Sequence, residues 1–120
     1  MNSVFVKGKL PSLNEYIRAC RTSPQVGAKM KRETERIIIY QLARLDKITS
    51  PVIVRFVWYE ENKKRDKDNV AFGKKFILDA MQASGKLVND NNDYIAGFTD
   101  DFVYREGQGV KITIERMWTE

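Results

Sequence analysis

The sequence predicts a single domain of the mixed α/β (α+β) class, in which helices pack on a mixed β-sheet in the order β-α-α-β-α-β-β. Three observations lead to this prediction. A chain of 120 residues is the usual length of one domain with one core, so we treat residues 1–120 as a unit. Residues 51–59 are rich in β-branched and aromatic residues on both faces of a predicted strand, and two longer segments have apolar residues at helical spacing.

The first third of the chain is predicted to form one strand and two helices. Val4–Val6 is a short apolar run that reads as the first strand, and Leu13–Cys20 reads as a short helix. Arg21–Gly27 is predicted to be a basic loop. Ala28–Asp46 has apolar residues near i, i+3, i+4 spacing and is predicted to be a long helix. Its β-branched run Ile37–Ile39 could also belong to a strand.

The middle of the chain contains the clearest strand and another helix. Pro51–Tyr59 is apolar on both faces, which predicts a central strand that is covered on both sides. Glu60–Lys67 follows as a charged loop. Asn69–Ser84 is predicted to be a helix that ends at Gly85, because glycine favours the C-cap conformation.

The last third is predicted to be mostly strand. Tyr94–Phe98 and Phe102–Arg105 have the composition of two strands, and Gly107–Gly109 of a hairpin turn. In the final segment Val110–Glu115, apolar and polar residues alternate, so one face should meet solvent.

Composition limits the available chemistry. The chain has no histidine, so it has no imidazole base and no histidine-ligated zinc, and Cys20 is its single cysteine. It also lacks a P-loop motif, so we expect no nucleotide cofactor. No apolar run is long enough for a membrane span, and Lys7 and Lys9 interrupt the start where a signal peptide needs an apolar stretch. We therefore expect a cytoplasmic protein that works with carboxylates, lysines and a hard metal ion.

The positive charge is concentrated in two segments. Residues 1–36 contain eight Lys/Arg and three acids, and residues 62–75 contain six basic and two acidic residues. Residues 76–120 contain four basic and eight acidic residues. This distribution suits a protein that binds a polyanion on one face, although an ordinary basic surface would give the same counts.

The segment 63–69 has the sequence Lys-Lys-Arg-Asp-Lys-Asp-Asn and contains a pair of aspartates. In an extended chain Asp66 and Asp68 would project to the same side, just before a helix. Two aligned carboxylates repel unless a cation lies between them, and Mg²⁺, or Mn²⁺ as the alternative, suits carboxylate oxygens and phosphate. The basic residues around the pair would hold a phosphodiester. They are Lys63, Lys64, Arg65, Lys67 and Lys74.

The helix after this pair predicts a polar line. At about 100° per residue, Lys75 lies about 20° short of two turns from Asp68, and Asp79 lies about 20° beyond three turns. If the helix begins near Asp68, these three side chains face one way and Lys74 lies about 100° from them. Asp90 is the third candidate acid, provided that the turn after the helix returns towards Asp66, and Asp93 is a weaker competitor.

Structural explanations exist for each of these features. Asp68 or Asn69 could cap the helix, and Lys75 with Asp79 could be an i, i+4 surface pair. Asn89–Asp93 has an ordinary turn composition, and the basic cluster could be a solvated loop.

The chain resembles the RusA-type Holliday junction resolvases, a family of phage and bacterial endonucleases. The resemblance rests on Arg65–Asn69, on Lys75–Ala80 in the following helix and on Asn89-Asp90. It extends to Leu13–Tyr16 early in the chain and to Ile95–Phe98 later, so it covers nearly the whole sequence.

The resemblance implies a homodimer that binds four-way DNA junctions and nicks paired strands with acids, a divalent metal and a lysine. By position, the metal-binding and catalytic acids are Asp66, Asp68 and Asp90, and the lysine is Lys75. Asp79 and Asn69 fall on supporting positions. The spacing between the aspartate pair and the lysine is longer here than in the best-known member, which leaves Lys74 as the alternative lysine.

Three other functions fit parts of this pattern. A non-catalytic DNA-binding module would use the basic residues and leave the acids as helix caps. A metal-dependent nuclease could prefer another substrate, such as flaps, forks, other branched DNA or RNA. A small phosphotransferase would use the same carboxylates, but the chain has no glycine-rich loop to hold a nucleotide.

Overall fold

The computed structural model describes residues 1–89, 91 and 93–117. The strands are β1 (Ser3–Lys7), β2 (Val52–Glu60), β3 (Ile95–Tyr104) and β4 (Gly109–Arg116). The helices are α1 (Leu13–Thr22), α2 (Pro24–Gln41), α3 (Lys67–Ala71) and α4 (Gly73–Ala83). Helices α3 and α4 are separated only by Phe72, whose backbone is itself right-handed helical. Taken as one helical segment they give the predicted order, and the mixed α/β class is confirmed.

The four strands form one mixed sheet with the order β1-β4-β2-β3. Strand β4 is antiparallel to both of its neighbours, whereas β2 and β3 run parallel. The parallel pair needs a crossover connection, and α3 and α4 provide it. Residues 107–109 are therefore not a hairpin turn, and that prediction is wrong. They lead the chain past the end of β2, where the Arg105 amide donates a hydrogen bond to the Glu60 carbonyl over 2.8 Å.

The core lies between one face of the sheet and the helices. Phe56 from β2, Ile38 from α2 and Phe76 from α4 are at most 1% exposed and belong to one apolar cluster. Each fully buried side chain of this size contributes about 1.5–3 kcal/mol of transfer free energy. The other face of β2 is half-buried, so the prediction that this strand is covered on both sides holds for one face only. In β4 the predicted alternation of buried and exposed residues is confirmed.

The prediction of a loop at residues 21–27 is wrong. This segment is helical except at Ser23, which is both the last cap residue of α1 and the first cap residue of α2. Its hydroxyl accepts a hydrogen bond from the Val26 amide over 3.1 Å, and Pro24 occupies the first turn of α2, where proline is favoured. The helices meet closely at this corner. A Cβ atom on Gly27 would lie 2.6 Å from the Cys20 Sγ and 3.2 Å from the Cys20 Cα, so a larger residue would require Cys20 to shift.

Two further boundaries differ from the sequence expectation, and a third agrees with it. Helix α2 ends at Gln41 rather than at residue 46, and the Ile37–Ile39 run within it is helical. Strand β3 is continuous over the region predicted as two strands, because Asp100 within it has polar partners on the helical side. Gly85 has φ +79°, as expected for the residue that ends a helix. None of the helices in the described part of the chain is both long and apolar enough to cross a membrane.

Candidate metal site

Asp66 and Asp68 lie in the first turn of α3, close to the end of β2. Asp66 is the N-cap residue, with φ −67° and ψ 153°, and its carboxylate makes no capping hydrogen bond. An N-cap aspartate usually accepts a hydrogen bond from one of the first helical amides, so this carboxylate is free for another partner. The helix already begins at Lys67, which means that the extended chain assumed for this pair is wrong. The two acids are instead neighbours within one helical turn.

Both carboxylates are exposed, and neither takes part in an ion pair within residues 1–89, 91 and 93–117. The Asp68 Oδ1 accepts a hydrogen bond from the Asn69 amide over 3.0 Å, which leaves Oδ2 for other partners. Mg²⁺ is commonly held by one or two carboxylates together with waters and substrate phosphate. The donor set at this turn therefore fits such an ion.

The third predicted ligand, Asp90, lies outside the described residues. Within the described residues, no group of three acidic, cysteine or histidine side chains is placed to hold a metal. On either side of residue 90, Leu87 pairs with Ile48 and Ile95 pairs with Val52, near the start of β2. Asp66 instead follows the end of β2. A nine-residue strand is about 26 Å long at 3.3 Å per residue, so Leu87 and Ile95 lie at the opposite end of the sheet from Asp66.

Lys75 is paired with Asp79 rather than with the two acids of α3. Its Nζ lies 3.1 Å from the Asp79 Oδ1, as in the i, i+4 surface pair considered above. Lys31 of α2 approaches the other oxygen of Asp79 to 3.2 Å, and this interaction raises the pKa of Lys31 above its ordinary value. The Asp79 side chain is 14% exposed, so both lysines compensate a largely buried charge.

Lys74 lies on the other side of α4 and has a different partner. Its Nζ is 2.7 Å from the Asp100 Oδ2, and the Trp58 indole N–H donates to the Asp100 Oδ1 over 2.8 Å. The same ammonium lies 5.4 Å from the ring centre of Phe56 and 4.9 Å from that of Phe98. Lys74 therefore joins α4 to β2 and β3 and is only 21% exposed.

Asn69 also has a structural partner. Its Oδ1 accepts a hydrogen bond from the Asn14 amide over 3.0 Å, which ties the first turn of α1 to α3. This contact joins α1 to the turn that carries Asp68, and the supporting role predicted for Asn69 in the site stays a prediction.

The basic residues of segment 63–67 point in two directions. Lys63, Lys64 and Lys67 are exposed. The Lys63 Nζ lies 5.1 Å from the ring centre of Tyr104, and the Lys67 Nζ lies 5.8 Å from that of Phe102. Both lysines are therefore beside the last residues of β3. Arg65 points inward and donates its guanidinium hydrogen bonds to Glu60 and to the Leu10 carbonyl.

Two residues that the sequence analysis did not select have clear roles around this turn. Glu60 is 5% exposed and forms a bidentate pair with Arg65, and Asp100 joins Lys74 to Trp58. A charged residue within an otherwise alternating strand pattern is a signal that could have identified Glu60, because it continues the buried face of Val54, Phe56 and Trp58. Asp100 gives a weaker signal of the same kind.

Comparison with known proteins adds no family assignment. The chain matches none of the protein-family models against which it was scanned, and a search of curated proteins found no match either.

Proposed function

We propose that this domain is a Mg²⁺-dependent endodeoxyribonuclease that cleaves four-way DNA junctions, as its resemblance to the RusA-type resolvases implies. One observation carries the proposal: Asp66 and Asp68 are exposed, have no ion-pair partner among the described residues and lie within a strongly basic segment. Carboxylates with no cation of their own are suited to bind one from solution. Lysines beside them are suited to hold the DNA backbone.

In this proposal Asp66 and Asp68 bind the metal, and Asp90 is the predicted third ligand. The bound ion would lower the pKa of a water molecule and compensate the charge of the scissile phosphate. Water then forms a new bond to phosphorus as one phosphodiester bond breaks, which leaves a phosphate end and a hydroxyl end. Lys63, Lys64 and Lys67 contact the DNA backbone. Arg65 is left out of the DNA contacts because its donors are already used within the protein.

Symmetric cleavage of a junction requires two sites related by a two-fold axis, so the active form is proposed to be a homodimer. Sedimentation with and without junction DNA tests this part separately. A species that remains monomeric at micromolar concentration in both conditions contradicts it.

The decisive experiment compares Asp68→Asn with Asp101→Asn on a labelled four-way junction. Asp101 is an exposed aspartate on β3, so its replacement removes the same charge away from α3. With Mg²⁺ we expect cleavage by the wild type and by Asp101→Asn, and no cleavage by Asp68→Asn or by any sample in EDTA. Asp68→Asn should still bind the junction, because it removes a negative charge beside the phosphate.

The same gel separates the other functions. Cleavage by Asp68→Asn at the wild-type rate contradicts the assignment of the metal site. Salt-sensitive binding with no cleavage by the wild type supports the non-catalytic DNA-binding module. Lanes with duplex, fork and single-stranded DNA identify a nuclease that prefers another structure.

A further inference from the structure

Glu60 and Arg65 form a buried ion pair at the end of β2. The side chains are 7% and 15% exposed. The Arg65 Nε and Nη2 each donate to one carboxylate oxygen of Glu60 over 2.9 Å. This parallel two-bond geometry fixes the orientation of both side chains, which a lysine at position 65 could not do.

The pair connects the end of β2 to three other parts of the chain, at Leu10, at the start of α1 and before β4. The Arg65 Nη1 donates to the Leu10 carbonyl over 2.8 Å, and it lies 3.6 Å from the Glu15 Oε1 at the start of α1. Gln108, in the connection to β4, donates to the Glu60 Oε2 over 3.3 Å. Each oxygen of Glu60 therefore has a donor, and each guanidinium nitrogen of Arg65 has an acceptor.

The pair closes the loop that leads from β2 to the candidate metal ligands. Residues 61–64 are exposed and span the gap between Glu60 and Arg65, and Asp66 is covalently bonded to Arg65. The first backbone hydrogen bond of α3 runs from the Val70 amide to the Asp66 carbonyl over 3.0 Å. A fixed Arg65 therefore fixes the point at which α3 begins and hence the turn that holds Asp66 and Asp68.

Stability alone does not account for such a pair. Burying two charges costs solvation free energy, and replacing a buried ion pair with apolar residues of similar volume is often neutral or stabilising. What an apolar replacement cannot reproduce is the orientation of the two-bond pair.

We propose that Glu60 and Arg65 are positioning residues, which hold the loop so that Asp66 and Asp68 present their carboxylates to a divalent cation. This inference rests on the proposed function, because it concerns the same metal site. It assigns Arg65 to the support of the metal ligands and not to the DNA contact.

The test is the affinity for Mn²⁺ alone, measured from the free-ion signal in electron paramagnetic resonance. The main variant is Glu60→Leu/Arg65→Met, which removes one charge of each sign and leaves the net charge unchanged. The matched control is Arg55→Met/Glu115→Leu, which removes the exposed ion pair between β2 and β4. Arg65→Lys is the second variant, because it keeps the charge and loses the two-bond geometry. Urea unfolding shows which variants are folded.

We expect Mn²⁺ to bind about 10- to 100-fold more weakly to Glu60→Leu/Arg65→Met than to the wild type, the usual loss when support of a metal ligand is removed. Arg65→Lys should lie between the two, and the control should match the wild type. If the main variant fails to fold, Arg65→Lys decides the question, because the weaker binding is expected of it as well.

Equal Mn²⁺ affinity in the folded variants and the wild type overturns the positioning role while leaving the metal site intact. Failure of the proposed function looks different. In that case the wild type itself binds no Mn²⁺, or Asp68→Asn binds it equally well, and the inference falls with it. Weakening by the control to the same extent as by the main variant also overturns the inference.

Discussion

The acidic side chains around α3 and α4 fall into two groups that differ in how their charge is compensated. Asp79 and Asp100 are 14% and 26% exposed, and each has a lysine Nζ within 3.1 Å. Asp66 and Asp68, at the other end of the same helical segment, are exposed and have no ion-pair partner among the described residues. The sequence alone placed Asp68 and Asp79 on one polar line.

The difference separates acids that serve the fold from acids that are available to a ligand. A carboxylate with a lysine beside it has already gained the Coulomb energy of a cation, and a metal would have to displace that lysine. A carboxylate without such a partner can bind a divalent cation without first displacing a lysine. The metal site should therefore lie at the first turn of α3 and not at Asp79.

The largest expected effect is that Asp68→Asn and Asp79→Asn differ in opposite ways from the wild type in junction cleavage and in stability. Asp79→Asn removes the anion that pairs with Lys31 and Lys75, whose side chains are 41% and 58% exposed, and should lower the free energy of unfolding by about 1 kcal/mol or less. It should retain junction cleavage below its unfolding temperature. Asp68→Asn should lose cleavage and change stability little, because the Asp68 side chain is exposed and has no ion-pair partner among the described residues.

Urea unfolding and junction cleavage, measured on the same preparations, check this pair of expectations. Loss of cleavage by Asp79→Asn with unchanged stability would break the comparison, since it would mean that Asp79 belongs to the reacting site.

The sequence correctly predicted the elements in which the spacing of apolar residues within the segment itself indicates a helix or a strand. Strand β2, the final strand and the helical segment after residue 66 were found because their apolar spacing is local. The prediction of a hairpin at Gly107–Gly109 was wrong because strand pairing is not local. Strand β4 lies between β1 and β2, and among the described strands β3 pairs only with β2. The loop at residues 21–27 was wrong because one serine serves two helices.

The candidate site was likewise predicted only where its residues are close together in the sequence. The two aspartates of α3 could be selected from their spacing and basic neighbours. Nothing in the spacing indicated that Arg65 faces Glu60 while Lys63, Lys64 and Lys67 face solvent, because burial depends on Leu10 and Gln108 from distant parts of the chain. Nor could helical angles reveal that Lys74 faces Asp100 of β3.

A smaller effect is expected when either lysine of α4 is replaced. Comparing the two variants decides whether Lys75 or Lys74 is the catalytic lysine, which the sequence left open. Lys75→Met removes a side chain that is 58% exposed, so stability should change by no more than about 0.5 kcal/mol. If Lys75 stabilises the transition state, its loss should lower kcat by about 10²- to 10³-fold.

Lys74→Met is the matched variant at the neighbouring position. It removes the Nζ that pairs with Asp100 and lies over two aromatic rings, so it should lower stability more than Lys75→Met does. Single-turnover cleavage and urea unfolding of both variants provide the measurement. A fall in kcat with Lys74→Met, and none with Lys75→Met, transfers the catalytic role to Lys74.

The smallest expected signal concerns which protomer supplies Asp90. Leu87 and Ile95, on either side of residue 90, lie at the start of β2, whereas Asp66 follows its end. If Asp90 is a metal ligand, we therefore expect it to bind the same metal ion as Asp66 and Asp68 of the other protomer in the dimer. Asp68→Asn and Asp90→Asn should each be inactive as homodimers. A mixed dimer of the two would have one site with both substitutions and one site with neither, so it should nick a single strand of the junction.

The measurement mixes the two inactive proteins, exchanges their subunits by unfolding and refolding, and follows nicking of a labelled junction. Random pairing makes about half of the dimers mixed, each with one intact site, so nicking should reach about a quarter of the wild-type number of sites. If Asp90 instead acted within its own protomer, every site in the mixture would carry one substitution and no nicking would occur. A mixture as inactive as its parents would thus place all three acids in one protomer and require the segment around residue 90 to reach the far end of the sheet.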